Sequence, residues 1–151
     1  MSERMWISLD GNAGATTSWS GGAVPVTGDR VIFSSFGVPP LTNLDFSGQN
    51  FLEVYVTPTC RFNIGSETNP LKCEATFVRH YGNCQLNYQS SNAGVVNNTR
   101  NVILDSIYNG IALNLSENTG VTTRVFDLYV IQGEAKIFAS CVPFRNYIGT
   151  P

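Results

Sequence analysis

Cys60, Cys73, Cys84 and Cys141, the single histidine His80, and a thin scatter of carboxylates and tyrosines are the side chains on which reactive chemistry in this chain would depend. The cysteines form no C-x-x-C pair and their separations differ widely, so neither a zinc site nor a redox motif is spelled out. They read as reduced thiols packing as small core hydrophobes. His80 lies between Arg79 and Tyr81 with no serine or cysteine nucleophile at a familiar spacing, which leaves it a surface or half-buried structural role. A glycan-cleaving centre needs two carboxyl groups about 5 to 9 Å apart, and strands stacked in neighbouring layers would bring Asp105 and Asp127 together. Acidic residues at turns more often cap backbone or face solvent. Tyr55, Tyr88, Tyr108 and Tyr129 offer rings for sugar stacking, but aromatics in alternating runs usually pack across strands. Gly11-x-x-Gly14 and Ser20-Gly21-Gly22 precede no predicted helix, so a phosphate cradle there has no dipole to complete it. The expectation is a chain with no catalytic, metal-ligating or cofactor-binding residue, and therefore not an enzyme.

The elements that hold these residues read as strands. Arg30–Phe33, Thr42–Phe46, Phe51–Val56, Cys60–Ile64, Leu71–Val78, Cys84–Tyr88, Asn101–Asp105, Ile111–Leu115, Thr122–Ile131 and Ala135–Cys141 mostly alternate apolar and polar side chains, with β-branched and aromatic residues frequent. No segment keeps an apolar stripe at helical spacing for the dozen residues an independent helix wants, because Gly, Pro or Asn interrupts each candidate. An all-β chain follows.

Starts of successive runs recur about every 8 to 12 residues, which suits a sandwich as well as a solenoid. Hairpin dipeptides are scarce: Asp10-Gly11 precedes the ladder, and Asn109-Gly110 is the one good candidate inside it. Polar bends at Ser47-Gly48-Gln49-Asn50, Gly65–Pro70 and Gly82-Asn83 suit strands that turn aside and stack on the next coil. The predicted architecture is a short single-stranded parallel β-helix with an aromatic cap, and a jelly-roll β-sandwich is the alternative. A solenoid core is open at both ends, so each end needs cover. Met5-Trp6-Ile7 with Trp19 supplies large rings at one end, and the proline- and aromatic-rich tail from Val142 supplies a cap or docking arm at the other. One domain spans 1–151: cap and lead-in loop over 1–28, strand ladder over 29–141, arm or cap over 142–151.

Composition narrows the partners. Lys and Arg number nine against eleven Asp and Glu, a formal net charge of -2, and the basic residues are dispersed, so no nucleic-acid footprint exists. Lys72, Arg79, Arg100 and Arg124 read as strand-edge guards against aggregation. No window approaches the roughly 18 apolar residues of a membrane helix, and the opening Met1–Ser8 lacks the apolar core of a secretory signal, so the chain is expected to be made and kept in a cytoplasm.

The pattern Trp6…Asn12…Trp19-Ser20-Gly21-Gly22-x-x-Pro25-x-x-Gly28-Asp29-x-Val31 resembles the opening motif of right-handed parallel β-helix proteins. The course that follows is similar to small β-helical capsid decoration (cement) proteins of tailed bacteriophages. It rests on Phe62-Asn63-Ile64-Gly65 with Asn69-Pro70-Leu71, the pair Ala75–His80 and Gly82–Tyr88, and Asn101–Ser106. That resemblance implies a non-enzymatic virion structural protein, made in the host cytoplasm and placed on the capsid surface. It would bind the major capsid protein as a homotrimer on symmetry axes and stabilise the shell by mass action. Met5, Trp6, Ile7, Phe144, Arg145 and Tyr147 are the contact candidates, or else internal end caps. The alternative is a phage tail or surface adhesin, a carbohydrate-binding or glycan-cleaving module.

Overall fold

The computed structural model describes residues 1–40, 42–89, 98–115, 124–137 and 142–148. Its strands are β1 (Glu3–Met5), β2 (Arg30–Phe33), β3 (Asp45–Val56), β4 (Leu71–His80), β5 (Leu86–Gln89), β6 (Asn98–Asp105), β7 (Ile111–Leu115), β8 (Arg124–Gln132), β9 (Glu134–Ile137) and β10 (Val142–Ile148). A single turn of 3-10 helix, Thr16–Ser18, is the only helix among the described residues. Every pairing between these strands is parallel, which excludes the jelly roll and defines a β-solenoid of about five turns.

Two stacks of rungs make up the coil. The long stack runs β1, β2, the end of β3, the end of β4, β6, β8 and β10. The short stack contains the starts of β3 and β4, then β5, β7 and β9. Alternation sends every second side chain inward. In the long stack Val54, Val78 and Val102 form one inward column, and Phe33, Val56, His80 and Leu104 form the next; all are buried.

Several expectations change. Thr42–Phe46 and Phe51–Val56 belong largely to one strand, because the Ser47–Asn50 bend is absorbed as a bulge in which Asp45 to Asn50 runs opposite only Lys72 to Glu74, with Gly48 at φ 85. Cys60–Ile64 is a turn: only Ile64 reaches a rung, bridging Leu86. Asn109-Gly110 makes a corner and no hairpin, since β6 and β7 belong to different stacks. Lys72 and Arg79 lie on β4, which is paired on both sides, so neither guards an edge. Arg100 and Arg124 are likewise on strands paired on both sides. Over Val142–Ile148 the expected arm is instead a further rung on β8, and Pro143 is tolerated there because its strand pairs, among the described residues, on one side alone. At the other end Glu3–Met5 is likewise a rung.

The amino-terminal cap is aromatic. Trp6 and Trp19 meet edge to face at 5.0 Å between centroids, and Phe33, Phe46 and Phe51 continue the cluster inward. Each indole is buried and satisfied: Trp6 Nε1 donates to the Val38 carbonyl at 2.7 Å and Trp19 Nε1 to that of Ala13 at 2.8 Å. The Gly28-Asp29 turn fastens this cap to the ladder. Gly28 takes φ 85, and buried Asp29 accepts from Ser2 N, Val26 N and Arg4 Nε. Burial opposes ionisation of Asp29, but those donors outweigh it and hold the carboxyl below its ordinary value.

Candidate functional site

Exposed apolar side chains collect where the cap loops meet. Ile7 and Leu9 leave β1, Phe36 and Val38 leave β2, and the two loops join through Val38 N–H donating to the Ser8 carbonyl at 2.8 Å. Leu9 is 89% and Phe36 61% exposed, so both side chains lie largely in solvent. Gly37 permits the close approach, since a Cβ there would lie 2.6 Å from Ser8 O and its φ is +84. Behind the patch a cleft is lined by Ile7, Ser8, Leu9, Asp10, Thr17 and Ser18.

Polar groups beneath the patch fix its shape. Buried Ser8 Oγ donates to Asp10 Oδ1 at 2.8 Å and accepts from the Gly11 amide and the Ser18 hydroxyl, each at 3.0 Å. Asp10 also accepts from the Asn12 amide, and that bond, with the one from Ser8, holds its carboxyl below the ordinary value. These bonds hold the loop from Ser8 to Ser18 in one shape.

A second feature lies on the outer face of the long stack. Glu3, Arg30, Glu53 and Phe77 occupy successive rungs of one column, and Met5, Ile32, Tyr55, Arg79, Ile103 and Tyr129 follow in the next. Glu53, only 6% exposed, binds Arg30 through one oxygen and Arg79 through the other, the latter at 2.8 Å. Arg30 also reaches Glu3 at 3.0 Å and sits over the Tyr55 ring at 4.8 Å. These charges satisfy one another, so the ladder fixes register and is not an open receptor for a charged ligand.

The residues singled out from the sequence fall in different places. Met5 is half-buried on β1, Ile7 belongs to the exposed patch, and Trp6 is sealed inside the cap, where its ring serves the end-cap role. Phe144, Arg145 and Tyr147 lie on β10, with Arg145 in register with Asp127 and Tyr147 with Tyr129, at the far end of the long stack from Ile7. Asp127 pairs with Asn101 while Asp105 pairs with Gln132, so the two acidic residues lie on neighbouring rungs but in different columns, about 13 Å apart along the strand direction at 3.3 Å per residue. Tyr88 is core, its hydroxyl bonded to the Cys73 carbonyl at 3.0 Å; Tyr108 packs against the core. Tyr55 and Tyr129 share a column but are parted by Arg79 and Ile103, so the four tyrosines build no common platform.

His80 is fully buried, not half-exposed, because its turn of the alternation points inward. Its Nε2–H is shared between the Cys84 and Ala112 carbonyls at 2.9 and 3.0 Å, and Nδ1 accepts the Gly82 amide at 3.3 Å, which defines a neutral ring. Cys60, Cys73 and Cys84 are buried thiols; Cys141 lies outside the described residues. Among the described residues no three His, Cys, Asp or Glu side chains gather as a metal site, and no helix is long and apolar enough to cross a membrane.

The residues sequence reading missed are Leu9, Phe36 and Val38. Phe36 and Val38 flank Gly37 and Leu9 stands two residues before Gly11, and their only signal is an apolar side chain where turn chemistry asks for polar ones. Fold and surface together define a capped parallel β-solenoid that presents an apolar patch from one end. Comparison with known protein families, curated proteins and solved structures finds no match.

Proposed function

We propose that this chain is a non-enzymatic structural module that docks onto a protein assembly through Ile7, Leu9, Phe36 and Val38. The carrying observation is the exposed apolar patch on loops already tied by Ser8 and the Gly37 approach. Contiguous exposed apolar side chains on a monomer characteristically mark protein contacts. The solenoid behind them supplies a rigid body whose inner rungs are hydrogen-bonded on both sides. Decoration of a phage capsid is the specific form that the family resemblance implies, with the major capsid protein as partner and a trimer on the shell's symmetry axes.

The test is co-sedimentation of purified protein with empty shells assembled from the major capsid protein of the genome that encodes this chain. Wild-type protein is expected to pellet with the shells, and Leu9→Asp with Phe36→Asp to lose at least about tenfold in affinity, as removing a central apolar anchor does. Wild type remaining in the supernatant, or the double variant pelleting unchanged, refutes the proposal.

A further inference from the structure

Cys60 and Cys84 occupy equivalent turns of consecutive coils. The Asn83 amide donates to the Cys60 carbonyl at 3.1 Å, holding the two turns together, and the sulfurs face each other at 3.7 Å with the Cys84 thiol donating to Cys60 Sγ. Gly82 leaves the space between them: a Cβ there would stand 2.9 Å from Cys84 Sγ and 3.3 Å from Cys60 Cβ. Both thiols are buried, yet Thr59 and Arg61, which flank Cys60, are exposed, so the pair lies one layer beneath solvent.

We propose that this pair is a modification site, a dithiol that a small hydroperoxide converts into an intramolecular disulfide stapling two coils. The roles differ. The hydrogen bond from Cys84, together with the charge of Arg61, favours the Cys60 thiolate, while that same bond and burial push the Cys84 thiol up. Cys60 therefore attacks: its thiolate takes one oxygen of hydrogen peroxide to become a sulfenic acid and expels hydroxide, which the proton lost by Cys60 converts to water. Cys84 resolves, its sulfur displacing the sulfenic hydroxyl as a second water while its own proton leaves with that group. Two thiols and one peroxide give one disulfide and two waters. Closing the bond moves the sulfurs from 3.7 Å to about 2.05 Å, within reach of side-chain rotation. Cys73, deep in the core with its thiol pushed up by burial, serves as an internal control.

Purified reduced protein is treated with hydrogen peroxide, alkylated and digested without reductant, and the peptides are mapped by mass spectrometry. The expected result is a linked pair of peptides carrying Cys60 and Cys84, a mass lower by about 2 Da for the two hydrogens lost, and Cys73 recovered alkylated. Linked protein should melt about 5 to 10 °C higher, because the closed loop restricts the unfolded chain. In Cys84→Ser the sulfenic acid has no resolving thiol, so Cys60 should be trapped by dimedone. Recovery of Cys60 and Cys84 as free thiols or sulfinic acids without a linked peptide, or linkage of either to another cysteine, overturns the proposal. The wild-type map decides this even where the variant does not fold.

Discussion

Acidification from about pH 7.5 to 4.5 should destabilise this protein chiefly through one side chain, His80, which stands in a column between Val56 and Leu104. Every group bonded to the ring is backbone: the Gly82 amide and the Cys84 and Ala112 carbonyls. Burial is the largest influence and lowers the folded value below the ordinary 6.5, while the two carbonyls oppose it without prevailing. The unfolded chain thus takes up the proton first. Stability is complete above about pH 6.5 and falls by up to about 1.4 kcal/mol per pH unit below it, until the folded ring itself titrates. Asp10, Asp29 and Asp45 have values lowered from 3.8, so what they contribute is lost only at greater acidity, outside this window. The assay is urea unfolding at intervals across the window for wild type and for His80→Gln, whose amide donates but does not titrate. A wild-type stability that stays flat between about pH 6.5 and 4.5, or a decline equally steep in the variant, would refute the reasoning.

Two further outcomes follow from the same packing. Trp6→Ala removes a buried ring from the aromatic cap and should cost about 3 to 5 kcal/mol, read as a lower urea midpoint with unchanged slope. Glu53→Ala leaves Arg30 and Arg79 without their shared carboxylate and should cost about 1.5 to 3 kcal/mol. Because Arg30 and Arg79 are 28% and 38% exposed, that difference should shrink in high salt, and a variant as stable as wild type would show that the ladder contributes nothing.

Much of the ladder was legible because side-chain alternation is a local property. Arg30–Phe33 and Ile111–Leu115 match their strands to the residue, and Trp6 with Trp19 read as a cap from size and place alone. Ser47–Asn50 misled because a glycine and polar residues signal a corner, whereas a bulge absorbs the same residues without ending the strand. Cys60–Ile64 misled because alternating apolar and polar residues serve a turn with buried ends as well as a strand. The patch was half visible: Ile7 stood among the contact candidates, but nothing local associates it with Phe36.

The sequence by itself determined that this protein is a run of short strands with an aromatic end, since period-two patterning and ring size act within a few residues, whereas parallel stacking rests on the observed pairings. Only the tertiary structure decided which rung lies on which. Coils of about 24 residues from β3 to β6 are closed by turns and bulges whose summed length sets the register. Register is what puts His80 beneath Val56, Glu53 between two arginines, Cys60 against Cys84, and leaves Asp105 and Asp127 in different columns.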